Sequence, residues 1–138
     1  MVDPLEVVIA YVKTKLSSSV GDRVASKQRF NEAWEVDQSA LRIRQDGGNP
    51  DLYSQVSNIR VEVSMYGKDT PTISRLWGEL VALTRQDTRD PVVITDGSTA
   101  LLLSFNQDSG LSFLFDEDLS SDYGMAFFSA IVAEEEVL

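Results

Sequence analysis

Between residues 59 and 66 the chain changes character at every step: Ile59, Val61, Val63 and Met65 alternate with Arg60, Glu62, Ser64 and Tyr66. A period of two is the signature of a β-strand with one buried and one wetted face. Leu41 and Ile43 alternate with Arg42 and Arg44 in the same way within 40–45. Between these strands, residues 46–51 read Asp-Gly-Gly-Asn-Pro-Asp. That composition predicts a loop, since Gly supplies positive φ and Pro stops a ladder. Two alternating strands around a turn-rich segment make an antiparallel pair with a long connection.

Two helices are punctuated as clearly. Asp3 stands as N-cap, Pro4 takes the first helical position, and Glu6 follows three residues after the cap, as in a capping box. Leu5, Val8, Ile9, Val12 and Leu16 then form one apolar stripe, ended by Ser17 to Ser19 and Gly21. The second helix has Thr70 as its cap and Pro71 at its start, with Ile73, Leu76, Trp77, Leu80, Leu83 and Thr84 on one face. Gly78 lies inside it and costs about 1 kcal/mol relative to Ala, which points to close packing against the sheet.

The rest reads as strand and turn. Segments 24–30 and 33–36 are weakly strand-like. Residues 92–95 and 99–105 flank Asp96-Gly97, a type I′ hairpin signal. A further turn at 107–110 returns 111–115 to the same hairpin. Residues 125–133 are apolar on both faces, as a central or interface strand requires. The expected fold is α+β: a mainly antiparallel sheet packed against two helices, in a single domain over 1–138.

Composition restricts the chemistry. The 138 residues include no His and no Cys, which removes disulfides and thiolate metal sites together with the commonest general base and metal ligand. With 12 Lys plus Arg against 22 Asp plus Glu, the average surface repels a polyanion, so sequence-specific nucleic-acid binding is not expected. No apolar run approaches the ~20 residues that span a bilayer, and the first residues carry Asp3 and Glu6 where a secretory signal is basic. Neither membrane association nor a targeting segment is expected.

The densest acidic group is Asp116, Glu117 and Asp118 with Asp122. Four carboxylates could hold a divalent cation, but the spacing is not that of an EF-hand, and solvated turns are the simpler reading. Glu134 to Glu136 read as a charged fray. Gly47-Gly48 lacks the Lys and Ser or Thr of a phosphate loop, and no nucleophile elbow is present. No catalytic, cofactor or metal site is expected, and no enzyme. Trp77 reads as core, while Tyr53 and Tyr123 are loop aromatics, which either anchor interfaces or pack over their own domain.

In its layout the chain resembles the tail terminator proteins of long-tailed bacteriophages. The likeness runs over nearly the whole length. It rests on a helix at 3–12 (Asp-Pro-Leu-Glu-Val-Val-Ile-Ala-Tyr-Val), a sheet, a central helix, and a second run of strands. The loop at 119–123 and Gly124 then lead into Met-Ala-Phe-Phe-Ser-Ala-Ile-Val at 125–132. The resemblance implies a virion protein, assembled in the host cytoplasm, that caps the tail tube as a hexameric ring and forms the head–tail joining surface. Tail tube protein lies on one side, a head-completion or connector protein on the other, and DNA only passes through. By position it implies ring and tube contacts from the loop at 46–56, with Gly47, Gly48, Asn49, Pro50 and Tyr53 as candidates. The carboxylates of Asp116, Glu117, Asp118 and Asp122 are candidates for an acidic lumen or loop. Two other readings are another neck, connector or tail-completion protein, and a non-viral adaptor module.

Overall fold

The computed structural model describes residues 3–21, 23–25, 39–49, 56–86, 91–94, 97, 99–117 and 121–134. In chain order the elements are α1 (Pro4–Lys15), α2 (Ser17–Val20), β1 (Val24–Ala25), β2 (Ala40–Asn49), β3 (Val56–Tyr66), α3 (Thr70–Leu83), β4 (Pro91–Val93), β5 (Thr99–Gln107), β6 (Ser112–Asp116) and β7 (Ser121–Glu134). The fold is α+β, with a curled, antiparallel-rich sheet and, among the described residues, three helices. Strand order is β1-β2-β3-β7-β5-β4, with β6 also on β7. Only the short β1–β2 pairing is parallel among the described strands.

The alternation in 59–66 does what its period demands. Ile59, Val61, Val63 and Met65 are fully buried, on the same side as Leu41 and Ile43 of β2 and Ala126, Phe128, Ala130 and Val132 of β7. Against this face pack Val7, Val8, Tyr11 and Val12 of α1 and Ile73, Leu76, Leu80 and Leu83 of α3. Each such side chain contributes about 2 kcal/mol by leaving water. Phe105 and Phe128 stack at 5.0 Å in the centre, with Tyr11 edge-on to Phe105 and Trp77, partly buried, against Phe128.

The two longer helices, α1 and α3, are each capped by an Asp. Asp3 accepts a hydrogen bond from the Leu5 amide at 3.0 Å. In α3 the cap is Asp69 and not Thr70, which is the first helical residue; Asp69 Oδ1 accepts from the Thr72 amide at 2.9 Å and from its hydroxyl at 2.5 Å. Ser17 to Ser19 do not end the first helix outright. The chain breaks at Leu16, makes one more helical turn, and stops at Gly21, which takes φ +56°. Gly78 is exposed, with nothing within 4 Å of an added Cβ, so close packing against the sheet does not explain it.

Three strand expectations are corrected. Residues 46–49 belong to β2 and not to a loop: the ladder continues through Gly48↔Ile59 and Asn49↔Asn58 after a bulge between Gln45 and Gly48, where Gly47 takes φ +110°. The β4–β5 hairpin exists, but the Gly97 amide bonds the Ile94 carbonyl, so Gly97 closes a turn begun at Ile94 and is not a central residue of a two-residue turn. Residues 107–110 do not fold the chain back on β5. Both β5 and β6 run antiparallel to β7, on the same edge, as one long strand broken between Gln107 and Ser112. The physical reason is at Phe127, whose carbonyl accepts from the amides of both Asp108 and Ser109, while its own amide donates to Ser109 Oγ at 2.9 Å. Ser109 thus replaces the missing rung and the strand resumes two positions out of register.

A second dislocation, between Leu102 and Ser104, changes the phase of β5, so that Ala100, Leu102 and Phe105 all reach the core. β7 is the central strand, as the apolar run 125–133 predicts, but it begins at Ser121. The weak segment 24–30 contributes Val24–Ala25; its remainder and 33–36 lie outside the described residues.

Candidate functional site

The face of the sheet opposite α1 and α3 carries a lattice of charges set by strand register. Arg44 and Glu62 are cross-strand partners, and Arg44 Nη2 donates to Glu62 Oε2 at 3.0 Å. Arg42 approaches the other Glu62 oxygen at 3.8 Å and donates to Ser64 Oγ at 3.4 Å. Glu62 is therefore a carboxylate held between two guanidiniums with its side chain only 9% exposed. The hydrogen bond and charge of Glu62 raise the Arg44 pKa above its ordinary value.

Arg60 continues the lattice. It lies over the Phe127 ring at 4.2 Å and within 3.9 Å of Asp46 and 3.7 Å of Asp108. Asp108 also accepts a hydrogen bond from Ser129. Three Arg thus meet three carboxylates, so this group presents little net field to a polyanion. Tyr66 stacks on Tyr123 at 5.4 Å on the same face, and burial pushes its hydroxyl above the ordinary value of 10.0.

The β6–β7 hairpin is the other distinctive feature. β6 pairs with β7 on one side and with no described strand on the other. Its side chains are large, apolar and open: Phe113 is 47% exposed, Leu114 39% and Phe115 60%. An exposed apolar edge strand of this kind is a template for association, which natural proteins normally blunt. Immediately beyond it come Asp116, which faces Ser121, and Glu117 in the turn, while Asp122 faces Phe115. Three of the four candidate acidic residues are thus brought together at one hairpin end; Asp118 lies outside the described residues. No group of three or more metal-ligating side chains occurs among the described residues.

The other sequence candidates separate. Gly47, Gly48 and Asn49 sit at the end of β2, whereas Pro50 and Tyr53 lie outside the described residues. Tyr123 is a strand residue stacked on Tyr66, not a loop aromatic. Glu134 ends β7 opposite Ala100, and Glu135 and Glu136 lie outside the described residues.

Sequence reasoning missed the exposure of 113–115. The signal was available: three consecutive apolar residues in a strand point to both faces, so one face needs a second cover. Two clefts are lined by described residues. One, of about 290 Å³, lies between α1 and β4 and is lined by Tyr11, Thr14, Lys15, Pro91, Val92 and Val93. The other is polar and runs between α2 and α3, where Ser19 donates to Glu79 at 2.8 Å. What these surfaces offer is binding area with local charge at its rims.

Among known proteins, no family model matches this chain, and no curated protein matches it significantly.

Proposed function

We propose that the protein is a structural virion component that caps a phage tail tube as a ring, ending tube growth and forming the surface that joins the head. The observation that carries the reading is the open apolar edge of β6, with Phe113, Leu114 and Phe115 exposed at the rim of a well-filled core. A surface of that kind supports assembly between copies, and the layout of helix, sheet, helix and second strand run supports the tail terminator reading in particular. The paired charges of Arg42, Arg44, Arg60, Glu62, Asp46 and Asp108 suit a surface past which DNA moves without being held.

The test is the mass of the purified protein at micromolar and higher concentration, by light scattering, with negative-stain images of the same fractions. Six-fold rings near six times 15.3 kDa support the terminator. Open tubes point to a tail tube protein instead. A strict monomer that added tail tubes do not recruit to their ends overturns the reading in favour of an adaptor module.

A further inference from the structure

We propose that the β6 edge of one copy seats in the cleft between α1 and β4 of the next, Phe113 and Phe115 supplying the apolar contact and Glu117 meeting Lys15. This rests on the reading that copies of this chain assemble, and it names the two surfaces that meet.

Geometry within one copy sets the two surfaces apart. Phe113 pairs with Gly124 near one end of β7, whereas β4 joins the sheet through Leu101, which pairs with Ala133 near the other end. From Gly124 to Ala133 along an extended strand is ~30 Å at about 3.4 Å per residue. The hairpin of a copy therefore cannot fill its own cleft. A contact between them is heterologous, one patch against a different one, which is the kind that closes into a ring when the rotation fits.

Shape and charge match. Phe113 and Phe115 are two residues apart on one strand and so project to the same side. The cleft of about 290 Å³ has apolar walls from Tyr11, Pro91, Val92 and Val93, with Val93 64% exposed on the outermost strand. A cavity of roughly 150 Å³ already accepts a benzene ring, so there is room for a phenylalanine side chain. At its rim Lys15, exposed in the last turn of α1, lies 5.9 Å from the Tyr11 ring centre. Asp116 and Glu117 follow Phe115 by one and two residues, ~3–7 Å of chain, so a seated Phe115 carries carboxylates to this ammonium. The cleft between α2 and α3 offers less apolar wall, since Leu76 is the one apolar residue among a lining of Ser18, Ser19, Ser39, Thr72, Arg75 and Glu79.

The absence of cysteine makes the test clean. Phe115→Cys and Val93→Cys are prepared singly and together and treated with a short bismaleimide, alongside light scattering of each sample. The inference expects covalent dimers when the two single variants are mixed, a ladder from the double variant, and no product from either alone. Products from Phe115→Cys alone overturn it in favour of β6 pairing with itself. Rings of the cysteine variants without a 93–115 product overturn the contact while leaving the ring reading intact. Cysteine variants that fall apart while the parent forms rings support Phe115 and Val93 as contact residues, and a parent that stays monomeric and is not recruited to tail tubes overturns both. A charge exchange is the second arm. Lys15→Glu weakens assembly about 2- to 5-fold, and combining it with Glu117→Lys restores it; no recovery in the combined variant overturns the pairing.

Discussion

The Cγ2 methyl of Ile73 lies 2.7 Å from where a Cβ on Gly124 would be built, and Leu111 Cδ1 is equally close. Helix α3 thus rests directly on the backbone of β7 at the point where the β6 hairpin leaves the core.

Gly124→Ala therefore pushes α3 and Leu111 off the sheet. The expected loss is about 1–3 kcal/mol, the range for overpacking a filled interior, read as a lower urea midpoint. Unchanged stability means that Ile73 moves freely, which the close packing does not permit.

Glu62→Ala leaves Arg42, whose side chain is 11% exposed, without its carboxylate. Full burial of such a pair makes its breakage cost 3–5 kcal/mol, and the half-exposed Arg44 reduces this to about 2 kcal/mol. Arg44→Ala costs less than about 1 kcal/mol. A denaturation series in which Arg44→Ala is the more damaging change contradicts the lattice described above.

Ser109→Ala deprives the Phe127 amide of its acceptor at the break between β5 and β6. About 1 kcal/mol of stability is lost, and hydrogen exchange at Phe127 accelerates while that at Val61 in β3 does not. Exchange that stays slow at Phe127 shows that the hydroxyl is not the rung.

The two hydrogen bonds from Thr72 hold Asp69 below its ordinary value of 3.8. A depressed carboxylate favours the folded state fully above the unfolded value, and that contribution is lost as pH falls through the folded one. Asp69→Ala is accordingly less stable than the parent at pH 7, and the gap narrows below pH 3.8. A gap that is constant from pH 7 to acid refutes the charged cap.

Phe113→Ser with Phe115→Ser removes exposed apolar surface without opening the core. Stability stays within about 0.5 kcal/mol of the parent, whereas assembly by light scattering falls. Loss of fold instead places these rings inside the structure, against their exposure.

Much of this architecture was legible where one residue decides one contact. The alternation at 59–66 fixed which side chains of β3 face the helices, and Pro4 and Pro71 marked helix starts within a residue. What failed was register, because it depends on partners far away in sequence. Gln107 to Gly110 has the composition of a reverse turn, yet Phe127 captures both Asp108 and Ser109 and keeps the chain going forward. Gly47-Gly48 reads as a loop for the same local reason, and pairing with Ile59 and Asn58 draws it into β2 as a bulge. The β6 hairpin was half legible: the carboxylates at 116, 117 and 122 stood out by composition, but nothing local showed that an edge position would leave Phe113 to Phe115 uncovered.

β7 is paired to β3 at every position from Gly124 to Ala133, while β5 and β6 divide its opposite edge. Under load this has a mechanical meaning. Tension along β7 is met in shear, all the rungs to β3 resisting together, so the central strand transmits force from one end of the molecule to the other. Tension across the sheet at β6 meets five paired positions in succession, and the strand peels one rung at a time. The hairpin that carries the exposed phenylalanines is thus the compliant end of a stiff body, able to yield to a neighbour while the core behind it keeps its shape.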